Sequence, residues 1–383
     1  MSTQLRLLLD AGPAVHQRAG ISRYTQRLAA ALYANHPERV ALRLFYNRHS
    51  GAALPPTLTH IPAYSIGLGQ YAWRLSVLAS RLAHLPYLPL TRHAPPFDLY
   101  HATEHLLPNV NRPTVLTVHD LIFERFPEHH TRANRLFLRL GMPLFVRAAT
   151  QIIAVSRHTA RDLIELYGTP AGKITVIHEG VEARFQPTPH FPIADLPGAP
   201  AANRPYLLMV GTLEPRKNHR LALAALARLK AQGYPHQLII AGGQGWLFAP
   251  IHAEVARLGL EGDVHFVGYV ADEQLPAIYS GAAAFLMPSQ YEGFGFPALE
   301  AMACGTPVVT SDAGSLPELV GDAALVTPVD DLDALVAALH RIFDEPGLVQ
   351  TLCTRGQAHA RHFTWDATAR QTVEVYRAAT SQA

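Results

Sequence analysis

Lysine is nearly missing from this chain. Of 32 basic residues in 383, only Lys173, Lys217 and Lys230 are lysines, so any functional ammonium group must come from these three. Charge as a whole is scarce, at 16% of residues against a typical share of about 25%. Lys+Arg at 32 and Asp+Glu at 30 leave a net charge of +2, which excludes the surplus basic surface of a dedicated nucleic-acid partner. The hydrophobic share of 49% excludes a disordered, solvating chain. Two cysteines, Cys304 and Cys353, are too few for a disulfide scaffold and lack metal-ligand spacing. No apolar run approaches the ~20 residues that span a bilayer, and residues 1–10 read as a first strand ending at Asp10, not as a leader. These absences predict a soluble, cytoplasmic protein. The 21 histidines are scattered, and His101-Ala-Thr-Glu-His105 puts its glutamate at the wrong offset for a zinc helix. Neither a metal nor another cofactor is expected.

Short apolar runs alternate with longer helical patterns, which predicts a parallel α/β architecture. The runs are Leu5–Leu9, Val40–Tyr46, Leu99–Ala102, Val115–His119, Ile152–Val155 and Ile174–His178, then Tyr206–Val210, Leu238–Ala241, Val264–Val267, Ala283–Met287, Val308–Thr310 and Ala324–Val326. Between them, helices are expected over Arg23–Tyr33, Arg132–Arg147, His219–Ala231, Asp333–Phe343 and Trp365–Ala379. Six prolines between Arg184 and Pro205 predict an extended linker. The expected division is therefore a first domain at 1–183, a linker at 184–205 and a second domain at 206–363, with a last helix near 364–383 returning to the first domain. Two doubly wound sheets joined this way would face each other across a cleft, with ligands at the carboxyl ends of the strands.

Four motifs fall at such strand ends. Gly211-Thr-Leu-Glu-Pro-Arg-Lys-Asn218 puts Arg216 and Lys217 at a helix start, where cations oppose the macrodipole unless an anion is bound. A guanidinium fork beside an ammonium suits a diphosphate; taken alone, the fragment is equally a solvated basic turn. Pro288-Ser-Gln-Tyr-Glu-Gly-Phe-Gly-Phe-Pro-Ala-Leu-Glu-Ala-Met-Ala303 carries Glu292 in a glycine-containing loop and Glu300 near the next helix start. Two carboxylates so spaced can accept hydrogen bonds from the hydroxyls of one extended molecule. Alternatively, Glu300 complements a helix dipole and Glu292 is a surface residue; beside the basic turn, the ligand reading is favoured. In Gln17-Arg-Ala-Gly-Ile-Ser-Arg-Tyr24, Gly20 would begin a helix and admit a phosphate, or is an ordinary loop glycine. Thr117-Val-His-Asp120 ends a strand in His119, either a substrate-positioning imidazole or a structural one.

Together these features resemble the retaining glycosyltransferases of family 4, which have the GT-B fold. The resemblance runs through Ala19–Tyr24, Val118–Asp120, Ala154–Ser156, Gly180–Glu182, Gly211–Asn218, Ala241–Gly243, Phe266–Gly268 and Glu292–Ala303. The Arg-Lys-Asn turn and the Glu-x7-Glu pair are its most specific parts. Gly211–Asn218 with Gly243-Gln-Gly-Trp246 is most similar to bacterial mannosyltransferases that use GDP-mannose. The resemblance implies that Arg216 and Lys217 hold the donor diphosphate, helped by backbone at Gly20, Gly293, Phe294, Gly295 and Phe296. It implies that Glu300 binds the ribose, Glu292 the sugar hydroxyls, and Gly268, Tyr269 and Val270 the base. His119 would lie beside the sugar, Gly243 and Ser156 would line the cleft, and Arg23, Tyr24 and Asp120 would lie on the acceptor side. One departure is His178-Glu179-Gly180, where asparagine often precedes the glycine.

The function these readings imply is transfer of a hexose, mannose favoured, from a nucleotide-diphospho sugar to a hydroxyl of a glycan or lipid-linked acceptor. The alternative is a sugar-nucleotide epimerase with Glu292 and His119 as its acid–base groups. Asp331-Leu-Asp333 resembles a metal motif but opens a helix, where carboxylates complement the dipole. Over residues 71–85, Leu75, Leu78, Leu82 and Leu85 recur at near-helical spacing. Packing on the core is the preferred reading; the other is a membrane-surface helix, with Arg74 and Arg81 as its charges, at the inner face of the plasma membrane.

Overall fold

The computed structural model describes residues 4–16, 19–129, 132–189, 193, 196, 204–243, 245 and 249–381. Among these residues are thirteen strands. They are β1 Leu5–Asp10, β2 Val40–Asn47, β3 Ala63–Ile66, β4 Leu99–Ala102, β5 Thr114–Val118, β6 Gln151–Ala154, β7 Ile174–Val176, β8 Tyr206–Val210, β9 Gln237–Ala241, β10 Val264–Gly268, β11 Ala284–Met287, β12 Val308–Ser311 and β13 Leu325–Thr327. They form two sheets, ordered β3-β2-β1-β4-β5-β6-β7 and β10-β9-β8-β11-β12-β13. Every pairing is parallel.

Parallel strands covered on both faces read as continuous apolar runs, and β4, β5, β6, β11 and β12 are buried at every residue. β3 is absent from the sequence expectation. Its four residues, Ala-Tyr-Ser-Ile, form a partly exposed edge strand on β2 and lack such a run. In each sheet the chain winds outward and then returns beside the first strand, so β4 lies next to β1 and β11 next to β8. These reversals are the switch points where open α/β sheets bind ligands.

The chain divides into two units, Met1–Gly180 with Thr364–Ala383, and Val181–Phe363. The core of the first includes Leu8, Phe45, Tyr100, Leu116, Phe145 and Ile152; that of the second includes Leu207, Leu226, Leu238, Leu286 and Leu339. The helix Trp365–Ser381 lies in the first unit, where Asn35 Nδ2 donates to Asp366 at 3.0 Å and His101 Nδ1 meets the Tyr376 hydroxyl at 2.7 Å. The described part of the proline-dense stretch packs on the second unit. Arg184 pairs with Glu182 and Asp272 at 2.9 and 2.7 Å, Phe185 meets the Tyr279 ring, and the Thr188 amide donates to Ser280. No helix among the described residues is long and apolar enough to cross a membrane.

Candidate active site

In the second unit, β8 runs into Gly211 and then a tight turn, Pro215–Lys217, that opens the helix His219–Ala231. Asn218 makes the corner in a left-handed conformation, φ 55°. The loop after β11 is tied to this turn, since the Gln290 amide donates to the Arg216 carbonyl at 2.8 Å. Lys217 Nζ donates to Glu292 Oε1 at 2.7 Å. Arg216 lies 2.6 Å from the other Glu292 oxygen and 2.6 Å from Glu214 Oε1. Lys217, Glu214 and Glu292 are all buried. Burial works to raise the Glu292 carboxyl, but the charges of Arg216 and Lys217 and the Lys217 hydrogen bond outweigh it and hold the group at about 2. Lys217 is shifted down, because burial and the Arg216 charge exceed the pull of Glu292 and Glu214. Taking each such ion out of water costs several kcal/mol. Buried charges with shifted titration of this kind are common at functional sites.

Two residues that the sequence reasoning passed over hold Glu292 in place. Gly314 has φ 63°, and a Cβ there would lie 2.5 Å from the Glu292 carbonyl oxygen and 2.7 Å from its amide nitrogen. The Ser315 amide donates to that carbonyl at 3.1 Å, and the Ser315 hydroxyl donates to the Phe294 carbonyl at 2.6 Å. Glu214 was visible inside the quoted motif, two residues before Arg216, but nothing local showed that it shares the guanidinium. Glu300 is the fifth residue of the helix Phe296–Ala303, beyond its first turn. It is buried, and its Oε2 accepts from the Tyr279 hydroxyl at 2.8 Å.

The remaining second-unit positions sit at neighbouring strand ends. The Leu213 amide donates to the Gly243 carbonyl at 3.0 Å, and the Gly242 amide to the Gly268 carbonyl at 2.7 Å. Tyr269 is 76% exposed and Val270 is buried. Gly293, Phe294 and Gly295 are buried, with Phe296 half-buried at the helix start. Gln244 and Trp246 of the Gly243–Trp246 motif lie outside the described residues. The carboxyl ends of β8, β9, β10 and β11 thus carry Arg216, Lys217, Gly243, Gly268–Val270 and Glu292 on one edge of one sheet.

In the first unit, His119 directly follows β5. Its Nε2 lies 2.9 Å from the Thr103 carbonyl and its Nδ1 3.1 Å from Glu179 Oε1. Tyr24, expected on the acceptor side, is instead fully buried. Its ring meets His119 edge-on at 4.8 Å and its hydroxyl bonds Thr117 at 2.9 Å, so it braces the histidine. His101 continues this chain from Thr117 to Tyr376, at 2.8 and 2.7 Å. Gly20 is exposed in the first turn of the helix Ala19–Asn35, as expected for a helix start, and Arg23 is half-buried there. Gln17 and Arg18 lie outside the described residues. Asp120 accepts from the Ile122 amide at 3.2 Å. Ser156, expected to line a cleft, is buried as the N-cap of the helix Arg157–Tyr167 and accepts from the Thr159 amide.

The helix Gln70–Leu82 departs from its preferred reading. Trp73, Val77 and Leu78 are buried, but Tyr71, Leu75, Leu82 and the following Leu85 are all more than half exposed, as are Leu136 and Leu140. Of the stripe only Leu78 reaches the core, beside Trp73 and Val77, and Leu75, Leu82 and Leu85 stay outside it. Arg74 and Arg81 are not charges free for a membrane. Arg74 donates to Asn134 and stacks on Phe137, and Arg81 donates to the Leu107 and Pro108 carbonyls. Asp331 caps the helix Leu332–Asp344 by accepting from the Ala334 amide at 2.9 Å. Among the described residues, no group of three or more His, Cys, Asp or Glu is placed to hold a metal ion.

Comparison with known proteins agrees with this layout. A glycosyltransferase family 4 model matches residues 18–185, and a glycosyl transferases group 1 model matches residues 197–359. The O-antigen chain mannosyltransferase B of Escherichia coli is 35% identical over 283 residues, covering 73% of this chain and 74% of that protein. The D-inositol 3-phosphate glycosyltransferase of Kribbella flavida is 33% identical over 260 residues, 63% of this chain and 59% of its own length. Among solved structures, Anabaena HepE in complex with UDP and glucose superimposes with a TM-score of 0.73 at 22% identity, over 98% of this chain and all of that one. WaaG, a glycosyltransferase involved in lipopolysaccharide biosynthesis, gives 0.71 at 17% identity, over 97% of this chain and 99% of that one. At these identities the structures speak for the fold alone.

Proposed function

The chain belongs to the family 4 glycosyltransferases, and on that premise we propose that it transfers a hexosyl group, mannose first, from a nucleoside-diphospho sugar to a hydroxyl of a glycan or lipid-linked acceptor with retention of configuration. The observation that carries the reading is the cluster of buried Lys217 and Glu292 with half-buried Arg216 at the switch point of the second sheet. The identity with an O-antigen mannosyltransferase favours mannose.

In this reading residues 206–363 are the donor domain, and residues 1–183 with the last helix are the acceptor-side domain. Arg216 and Lys217 hold the diphosphate, Glu300 the ribose, and Gly268–Val270 the base. The bond from the anomeric carbon to the diphosphate oxygen breaks, and its electron pair leaves with the diphosphate. The two cations meet that charge, and fixed electrostatic stabilisation of this kind is usually the largest catalytic contribution. The acceptor oxygen attacks from the same face and passes its proton to a departing phosphate oxygen. Glu292, ionised between two cations, accepts hydrogen bonds from sugar hydroxyls and is neither acid nor nucleophile.

Epimerisation needs groups that exchange protons with the sugar. Glu292 is held ionised and His119 has both ring nitrogens engaged, so transfer is the better-supported chemistry. The exposed leucines of 71–85 support a peripheral contact with the membrane that carries a lipid-linked acceptor. The test is incubation with GDP-mannose, and with UDP and dTDP sugars, in the presence of glycan and lipid-linked acceptors. A mannosylated product of retained configuration is expected. Isomerised donor without transfer would overturn the reading.

A further inference from the structure

Two hydrogen bonds fix the proton inventory of His119. The Thr103 carbonyl can only accept, so Nε2, 2.9 Å away, carries a hydrogen. Nδ1 lies 3.1 Å from Glu179 Oε1, and a bare nitrogen facing a carboxylate oxygen would be repulsive. One further proton lies between them. We propose that Glu179 is a positioning residue that keeps both ring nitrogens of His119 protonated, so that the histidine serves glycosyl transfer as a fixed cation, its two N–H groups held by Thr103 and Glu179, and never as a proton acceptor. The role in transfer rests on the function proposed above; the proton inventory does not.

The pair is built into the first unit. Glu179 is 2% exposed, in the loop after β7. Gly180 beside it packs so closely on the Trp365 backbone that a Cβ would overlap it, and Thr368 donates to the His178 carbonyl at 2.9 Å. The helix Trp365–Ser381 thus clamps the loop that carries Glu179. His119 is held from its other sides by the Tyr24 ring and by Thr159, which donates to its carbonyl at 3.2 Å.

The surrounding charges favour the shared proton on the ring over the carboxylate. Asp120 adjoins His119, while Arg23 and His178 act on Glu179. His101 bonds Thr117 nearby, and the His119 charge works against a second cation there. Burial holds His101 neutral, with its own value down at about 3. For His119 itself, burial opposes the cation, but the Glu179 hydrogen bond and charge, the Thr103 carbonyl and Asp120 outweigh it and raise the group above 6.5. Glu179 is shifted up by burial, which favours the proton on the carboxyl, and the charges of His119, His178 and Arg23 oppose that shift.

The test uses full-length protein labelled with ¹⁵N-histidine, with the His119 ring signals assigned by their loss in His119→Asn. Both ring nitrogens of the wild type are expected to be protonated at pH 7. In Glu179→Gln, the ring should become the neutral Nε2–H tautomer, with a midpoint lower by at least about one pH unit. The rate of transfer by Glu179→Gln should fall above pH ~6.5 and recover below it, while the wild-type profile stays flat. An unprotonated Nδ1 in the wild type at pH 7, or an unchanged midpoint in Glu179→Gln, overturns the proposal. If Glu179→Gln does not fold, the wild-type spectrum alone decides. If no donor is ever transferred, the function fails while the spectrum still judges the pair.

Discussion

Lys217 Nζ sits 2.7 Å from Glu292 Oε1, and the two residues lie 75 positions apart in the chain. Neither is near the surface, and Lys217 is one of only three lysines in the protein. Arg216 binds the same carboxylate and also Glu214. In the free protein, two cations are therefore matched by two anions. If the proposed function holds, an incoming diphosphate competes with Glu214 and Glu292 for the same N–H groups.

That competition predicts a gain on removing one competitor. Glu214→Gln frees Arg216 from its second carboxylate and leaves the cluster with surplus positive charge. Its Kd for GDP should fall by roughly three- to tenfold, about 0.7–1.4 kcal/mol, with slower product release. Calorimetric titration of GDP checks this; weaker binding would mean that Glu214 positions the arginine more than it competes with ligand.

Glu292 also makes stability depend on pH. Its carboxyl is held at about 2 in the folded protein against an ordinary 4.5, so the ionised form stabilises the fold. That contribution is present above pH 4.5 and is lost as pH falls towards 2. Glu292→Gln should be less stable than wild type at pH 7 by roughly 2–3 kcal/mol, and the gap should close on acidification. Urea unfolding at pH 7, 4 and 2.5 measures it, and a gap independent of pH contradicts the assignment.

Gly314 should be intolerant of a side chain. A Cβ at φ 63° would press on both backbone polar atoms of Glu292, so Gly314→Ala must move the loop that presents the carboxylate. We expect turnover to drop by about tenfold or more, and stability to fall by about 1 kcal/mol or more. Wild-type turnover in a folded Gly314→Ala protein would show that the position of Glu292 is not critical.

The exposed stripe gives a separate test. Leu75→Glu with Leu82→Glu changes residues about 60% exposed, so the fold should survive. Liposome co-sedimentation should drop while transfer to a soluble acceptor is unchanged. If the wild type does not sediment with vesicles, the surface-helix reading ends.

Much of the fold was legible because parallel strands buried on both faces leave apolar runs, as in Thr114–Val118 and Ala284–Met287. The edge strand Ala63–Ile66 left none. Arg216, Lys217, Glu292 and Glu300 were each visible in their own motif, since cations at a helix start and carboxylates in a glycine loop are local anomalies. What could not be read was who pairs with whom. The Lys217–Glu292, Glu300–Tyr279 and His119–Glu179 contacts are tertiary, made by strand order and not by spacing. The burial of Tyr24 against His119 was not legible for the same reason: it depends on how a helix lies on the sheet. Leu78 packs on the core as expected, but Leu75, Leu82 and Leu85 do not, because periodicity reports an apolar face and not whether the core has room for all of it.

The central claim is that Lys217 and Arg216 hold the diphosphate of a sugar nucleotide, with Glu292 set to meet its sugar hydroxyls. The most direct measurement is titration of GDP-mannose into the wild type and Lys217→Ala, with turnover measured on the same preparations. The account predicts that the wild type binds, that Lys217→Ala binds at least about tenfold more weakly, and that its turnover falls by roughly 10²–10³. Equal affinity and equal turnover in a folded Lys217→Ala protein would contradict it.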